Sequence, residues 1–392
     1  MERTITGLEL FCDNFPDRLK DARLGILCHA ASIDASYRHC IDRISRIPGC
    51  RIGAIFGPQH GLFGQTQDNM VEWEDTIHPV LNVPVFSLYG AVRKPDSAML
   101  AEIDALVIDL QDVGARPYTY LWTMKLCMEA CGEAGIPVWV LDRPNPIAAI
   151  GFDGPVLSPE YFSFVGGAAI PLCHRMTIGE AASLLGQEYC SSTELHVVSM
   201  RNWHRNSVWS DTGLPWVLPS PNMPTLDTAL VYPGMVLLEA TNLSEGRGTT
   251  RPFELIGAPY LDAATLITWL KKQPVSGCIF REHNFIPAFQ KWKDRYCRGI
   301  QIHITSIRDY RPVSTTVALL AAVVDIAGDR FTFNNPPYEY ETEKMPFDIL
   351  SGDDTLRNLL VRNRADMTIR DRWKESYRDF LELFDDIALY PE

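Results

Sequence analysis

Along the first half of the chain, short apolar runs are each followed at once by a cluster of polar groups. The clearest case is DALVIDLQDVGARPYTY at 104–120, where Ala105 to Ile108 give way to Asp109, Gln111, Asp112, Arg116, Tyr118 and Tyr120. The same change of character follows LGILCHA (24–30), RIGAIFG (51–57), PVFSLYG (84–90), PVWVLDR (137–143) and LHVVSM (195–200). Runs of this length and β-branched content predict buried strands, and the stretches 37–47 and 123–134 predict helices between them. Alternating strand and helix predicts an α/β fold with a parallel sheet. Ligands of such sheets bind beyond the carboxyl ends of the strands, which is where these polar groups fall. A single polar loop is explained equally well by Asp residues capping a helix. Its recurrence at successive strand ends favours a site.

The pattern breaks where Pro215, Pro219, Pro221 and Pro224 crowd into LPWVLPSPNMPTLD. Proline restricts itself and the residue before it, so this stretch is predicted to be extended. The chain divides near 203–222, giving a first domain at 1–210 and a second at 211–392. Just upstream, Thr177 and Glu180 form a T-x-x-E capping box, which makes Glu180 a helix-start residue rather than a catalytic acid.

Composition narrows the class. At 392 residues and 46% hydrophobic content, two domains with ample cores are expected. No run of about 18 apolar residues predicts a membrane span, and the N-terminus lacks an apolar signal core. The expectation is a cytoplasmic chain. Its 10 Cys are scattered without a CxxC, which points to reduced, mostly buried thiols rather than zinc or disulfides. A net charge of -13 argues against nucleic acid and anionic membranes as partners. It leaves room for a small anionic substrate held by one or two arginines. Oligomeric state is not legible.

The second half carries its own dense run, EATNLSEGRGTTRPFELIGAP (239–259), with Glu239, Asn242, Glu245, Arg247, Arg251 and Glu254. Glycines on both sides of Arg247 allow a sharp turn and close ligand approach. GxxxxGK[ST], GxGxxG, GxSxG and HExxH patterns are absent from their required contexts. The residues therefore predict a site without metal or cofactor, rich in carboxylates, Arg, Asn, His and aromatics. That inventory suits sugar chemistry, in which carboxyl groups act as acid, base or nucleophile and rings stack on the sugar.

Over nearly its whole length the chain resembles the exo-β-N-acetylmuramidase (NamZ) family. The resemblance rests on FGPQHG (56–61), DLQDVGARPYTY (109–120), LDRPNP (141–146), GPVL (154–157), HRMTIGE (174–180), PSPNMPTLDTALVYPG (219–234) and TNLSEGRGTTRPFELIGAP (241–259). It implies a Rossmann-like parallel-sheet domain, a smaller α+β domain, and an active site in the cleft between them. It also implies release of N-acetylmuramic acid, or a related amino sugar, from peptidoglycan fragments such as muropeptides.

One position departs from the family pattern. Where the family commonly has the glutamate of P-E-H-G, its favoured catalytic residue, this chain has Gln59. An amide is neither a proton donor of carboxylic strength nor a carboxylate nucleophile. Three routes stay open: another carboxylate (Asp68, Glu72, Asp109, Asp112 or Glu245), a substrate-assisted mechanism, or sugar binding without hydrolysis. The catalytic candidates are Asp109, Asp112 and Glu245. The binding candidates are Gln59, His60, Arg116, Tyr118, Asp142, Arg143, Asn145, Asn222, Asn242 and Arg247. Each has a structural alternative, such as turn fixing by Asp109 or an Asp112–Arg116 pair. Arg247 is the best ligand arginine, because a muramyl lactyl carboxylate suits a guanidinium. The reading is an intracellular glycosidase. The alternatives are a catalytically inactive amino-sugar-binding or regulatory protein, and an amidase or deacetylase of amino sugars. Retention, inversion and the exact sugar are not set by the sequence.

Overall fold

The computed structural model describes residues 2–67, 71–362 and 369–392. The six expected strands form, as β1 (Arg23–Cys28), β2 (Arg51–Gly57), β4 (Pro84–Ser87), β5 (Ala105–Asp109), β6 (Val138–Leu141) and β9 (Leu195–Val198), and three short strands that the pattern did not foretell, β3 (Thr76–Ile77), β7 (Asp153–Val156) and β8 (Pro171–Cys173), fall between them. The main sheet runs β3-β4-β2-β1-β5-β6-β9. Every pairing in it is parallel except that of β3 with β4. Its six parallel strands thus follow the Rossmann order, reversing direction between β1 and β5. β1 is buried after its first residue and β5 throughout, as expected of strands covered on both faces.

Helix boundaries differ from expectation in two places. The helix expected at 37–47 is reduced to Cys40–Ile44, capped by the His39 ring. The one expected at 123–134 begins three residues earlier, at Tyr120, and ends on Gly135 in the left-handed region. The Thr177–Glu180 capping box is present, and Glu180 also pairs with buried Arg205 at 2.6 Å. That confirms its helix-start role.

The smaller second part has the antiparallel sheet β10 (Leu255–Ala258), β12 (Arg298–Ile304) and β11 (Cys278–Glu282), in that order. The helical stretch Pro312–Arg330 is long and apolar enough to pass for a membrane span, but most of it is buried against protein. The proline-rich crossing is irregular over 213–224. The division expected at 210–211 falls inside the short helix Trp209–Thr212. The two parts share one continuous apolar core that extends from Leu27 to Ile387. The chain's end returns to the first part, where the Tyr390 hydroxyl meets Met200 N at 2.8 Å and also bonds Asp142.

Candidate active site

Both parts contribute to one cleft. The loop after β2 brings Gln59 and His60, the loop after β5 brings Pro117 to Tyr120, and the proline-rich crossing brings Ser220, Asn222 and Met223. The second part supplies Tyr232, Glu239, Arg247, Phe253, Tyr338 and Glu339. From the segment 239–254, Glu239, Arg247 and Phe253 thus face the loops that follow β2 and β5.

Local chemistry fixes each wall. His60 sits at φ 72, and its Nδ1–H donates to the Thr66 carbonyl at 2.7 Å. The Trp73 indole donates to the Pro58 carbonyl at 3.2 Å and holds the same loop. The Tyr120 hydroxyl and the His29 Nδ1–H both donate to the Pro219 carbonyl, at 2.6 and 3.1 Å. His29 Nε2 accepts from the Gln111 amide at 2.9 Å, which fixes a neutral imidazole. Asn222 Nδ2 donates to the Gln67 carbonyl at 2.8 Å. The Tyr118 hydroxyl is buried beside Ser220 without a well-aligned hydrogen bond. Gly246 and Gly248 take φ 80 and 79 on either side of Arg247. A Cβ on Gly248 would lie 2.6 Å from the Phe289 carbonyl.

Among the described residues, two carboxyl groups line the cleft, in contrasting settings. Glu239 is ion-paired with Arg247 at 2.8 Å and accepts from the Tyr338 hydroxyl at 2.5 Å. Glu339 is 3% exposed and has no ion-pair partner among the described residues. The Tyr89 hydroxyl donates to its Oε2 at 2.9 Å, and Gln59 Nε2 to its Oε1 at 3.5 Å. Burial pushes the Glu339 carboxyl up to about 7; the Tyr89 hydrogen bond opposes this and nearby Glu239 adds to it. Glu339 and Tyr340 hold φ of 44 and 69, conformations that non-glycine residues keep only when their surroundings impose them. On the far side, Gln59 Oε1 accepts from Thr119 Oγ1 at 2.6 Å. With its oxygen engaged there, the amide presents its NH2 to Glu339.

Of the predicted residues, Gln59, His60, Tyr118, Asn222 and Arg247 line this cleft. The others do not. Asp109 is fully buried and held by Arg143 through bonds of 2.5 and 2.8 Å. Arg143 thereby pairs with Asp109. Asp112 accepts from Gly114 N at 2.6 Å and faces His174 at 3.4 Å. Arg116 donates to the Pro155, Ile170 and Leu350 carbonyls, tying the two parts together instead of pairing with Asp112. Asp142 accepts from Thr177 and Gly179 at the start of a helix. Asn145 bridges Met176 and Ile147, and Asn242 bridges Arg330 and Tyr260. Glu245 is buried outside the lining. Burial disfavours its charge, but Lys291 at 2.8 Å and Arg247 at 3.9 Å outweigh that and hold it below the usual carboxylate range. Glu72 is exposed and meets the Tyr340 hydroxyl at 3.5 Å; Asp68 lies outside the described residues. Arg247 is in place, but its charge is already shared by Glu239 and Glu245.

Sequence reading missed Glu339 altogether. It follows no apolar strand and sits in the tyrosine-rich segment PPYEYE. The one signal was a glutamate set among aromatic rings.

Comparison with known proteins matches this architecture. The profile described as "Exo-beta-N-acetylmuramidase NamZ, N-terminal" matches residues 24–227, and its C-terminal counterpart matches 230–390. The chain is 39% identical over 375 residues to "Peptidoglycan beta-N-acetylmuramidase NamZ" of Bacillus subtilis (strain 168), covering 96% of this chain and 88% of that protein. Two solved structures of DUF1343 family proteins from Bacteroides fragilis NCTC 9343 superpose on it. One has a TM-score of 0.87, 32% identity and 99% coverage of both chains. The other has a TM-score of 0.78, 28% identity and 100% coverage of both.

Proposed function

The chain belongs to the exo-β-N-acetylmuramidase NamZ family, and from that premise we propose that it is a glycoside hydrolase that releases N-acetylmuramic acid from peptidoglycan fragments. The observation that carries the reading is the meeting of Glu239 and Glu339 in one cleft, one ion-paired and the other buried with its acidity weakened. Glycosidases need two such carboxyl environments, or one together with a substrate acetamido group. The rings of Tyr118, Tyr232 and Phe253 pack edge to face along the cleft, with centroids 5.8 and 4.9 Å apart. They offer apolar surface to a pyranose, while Gln59, His60 and Asn222 offer polar contacts.

The cleft leaves only about 40 Å³ of free space, against roughly 300–1,000 Å³ for a typical ligand site. A sugar ring therefore enters by parting the walls, as in enzymes whose sites close over substrate. Gln59 acts as a positioning residue, braced by Thr119. Loss of the commoner glutamate at this position is tolerated because the cleft holds other carboxyl groups.

The direct test is to incubate the chain with a disaccharide that has N-acetylmuramic acid at its non-reducing end, then identify the products by mass spectrometry. Free N-acetylmuramic acid is expected. An uncleaved disaccharide that nonetheless binds would favour the non-hydrolytic sugar-binding alternative.

A further inference from the structure

Beside the cleft lies a second, larger recess of about 300 Å³. Arg93, Trp122, Lys125, Phe164 and Tyr340 line much of it. Its walls have a definite chemistry. The rings of Phe164 and Tyr340 stand 6.0 Å apart with Tyr89 packed behind both, and the Arg93 guanidinium lies 3.9 Å from the Tyr340 centroid. Such rings suit the apolar face of a sugar, and the stacked Arg93 guanidinium can donate hydrogen bonds to its hydroxyl or acetamido oxygens. Among the described residues, Glu339 alone lines both this groove and the cleft.

A glycosidic bond has one sugar on each side, and the proton that assists its cleavage must reach the oxygen between them. We propose that Glu339 is the general acid of this chain, giving its proton to the glycosidic oxygen where cleft and groove meet, with the aromatic groove holding the leaving amino sugar. This rests on the glycosidase reading above and adds the identity of the proton donor and the leaving-group site.

The step balances. The C1–O bond breaks and its electron pair goes to the leaving oxygen, which takes the Glu339 proton. Water supplies the new bond to C1, and the proton it releases is taken up by a cleft carboxylate. The loop after β2, which in the family commonly carries a glutamate, faces Glu339 with the Gln59 amide instead. A second carboxylate there would crowd like charges together, whereas an amide hydrogen-bonds Glu339 without adding charge. The charged and titratable groups facing Glu339 are Tyr89, Glu239, Arg247, Tyr232, Tyr338 and Tyr340, and Arg93, Lys125 and Glu341 line the groove with it. Of these, the Tyr89 hydroxyl is the one that directly hydrogen-bonds it.

The test compares wild type and Glu339→Gln on two β-N-acetylmuramides. One carries N-acetylglucosamine as leaving group and the other 2,4-dinitrophenolate, which departs without needing a proton. Loss of a general acid should lower kcat/KM on the disaccharide by about 100- to 10,000-fold, with a loss of less than about tenfold on the aryl substrate. Equal losses on both would overturn the assignment. Retained binding of N-acetylmuramic acid by the variant would show that it is folded. As a second variant, Tyr89→Phe removes a donor that stabilises the charged form, so the alkaline limb of the pH–rate profile should move to higher pH. An unmoved limb would also overturn it. A wild-type chain that cleaves neither substrate would defeat the glycosidase reading itself, and the acid assignment with it.

Discussion

Gln59 and Glu339 lie 280 residues apart in the sequence, yet the amide of one donates to the carboxyl of the other at 3.5 Å across the cleft. Burial raises the carboxyl to about 7, so near neutral pH much of it carries a proton. The proton-bearing form is the one that assists leaving-group departure. The rate should therefore be highest on the acid side and decline as pH rises through about 7. A pH–rate profile of kcat/KM checks this; a rate still climbing well above neutral would contradict it.

The same contact predicts what changing Gln59 does. Alanine removes a positioning contact and should cost about 10- to 100-fold in rate. Glutamate should instead set two carboxyl groups against each other, raising the apparent pKa of the pair and moving the alkaline limb to higher pH. If Gln59→Glu creates activity in a chain that otherwise has none, the natural protein is a binding module.

Arg247 bears on stability as well as on the ligand. Its side chain is 8% exposed and that of Glu239 5%, so removing the guanidinium leaves Glu239 buried without its closest cation. Arg247→Ala should lower unfolding free energy by about 3–5 kcal/mol, as for other broken buried pairs. Denaturant unfolding measures it, and a loss below about 1 kcal/mol would contradict the structural role. Losses of sugar affinity that are equal for muramyl and glucosaminyl ligands would fit that role. A selective loss for muramyl ligands would restore Arg247 as a lactyl-carboxylate contact.

Asp109 offers a parallel case inside the first part. Asp109→Ala would strand Arg143 in the interior, and a similar loss of about 3–5 kcal/mol is expected. Urea unfolding of this variant, set beside its kcat once folded, separates an architectural role from a catalytic one. A collapse of kcat with unchanged stability would return Asp109 to the reacting groups.

Asp109 also shows why the fold was more legible than the site. The strands could be read because β5 and its neighbours are short, mostly apolar runs of aliphatic and β-branched residues, and such runs pair wherever both faces are covered. The polar groups at their ends were read as one wall, but the switch point between β1 and β5 is filled by the protein itself. Ser32 bonds the Asp109 carbonyl, Arg143 clamps its carboxylate, and His29 reaches the Pro219 carbonyl. The free cleft lies to one side, under the loops that carry Gln59 and Tyr118, so only part of the candidate list reached it. Glu339 follows no periodic element. Its position depends on a left-handed backbone and on contacts with Tyr89 and Gln59 from the distant first part, and local pattern does not encode contacts of that span.

The central claim, that this cleft hydrolyses muramyl glycosides, is tested most directly by initial rates on chromogenic β-N-acetylmuramide and β-N-acetylglucosaminide substrates, side by side under the same conditions. The account predicts chromophore release from the muramide, with the glucosaminide markedly slower. No release from the muramide, in a chain that still binds N-acetylmuramic acid, would contradict it.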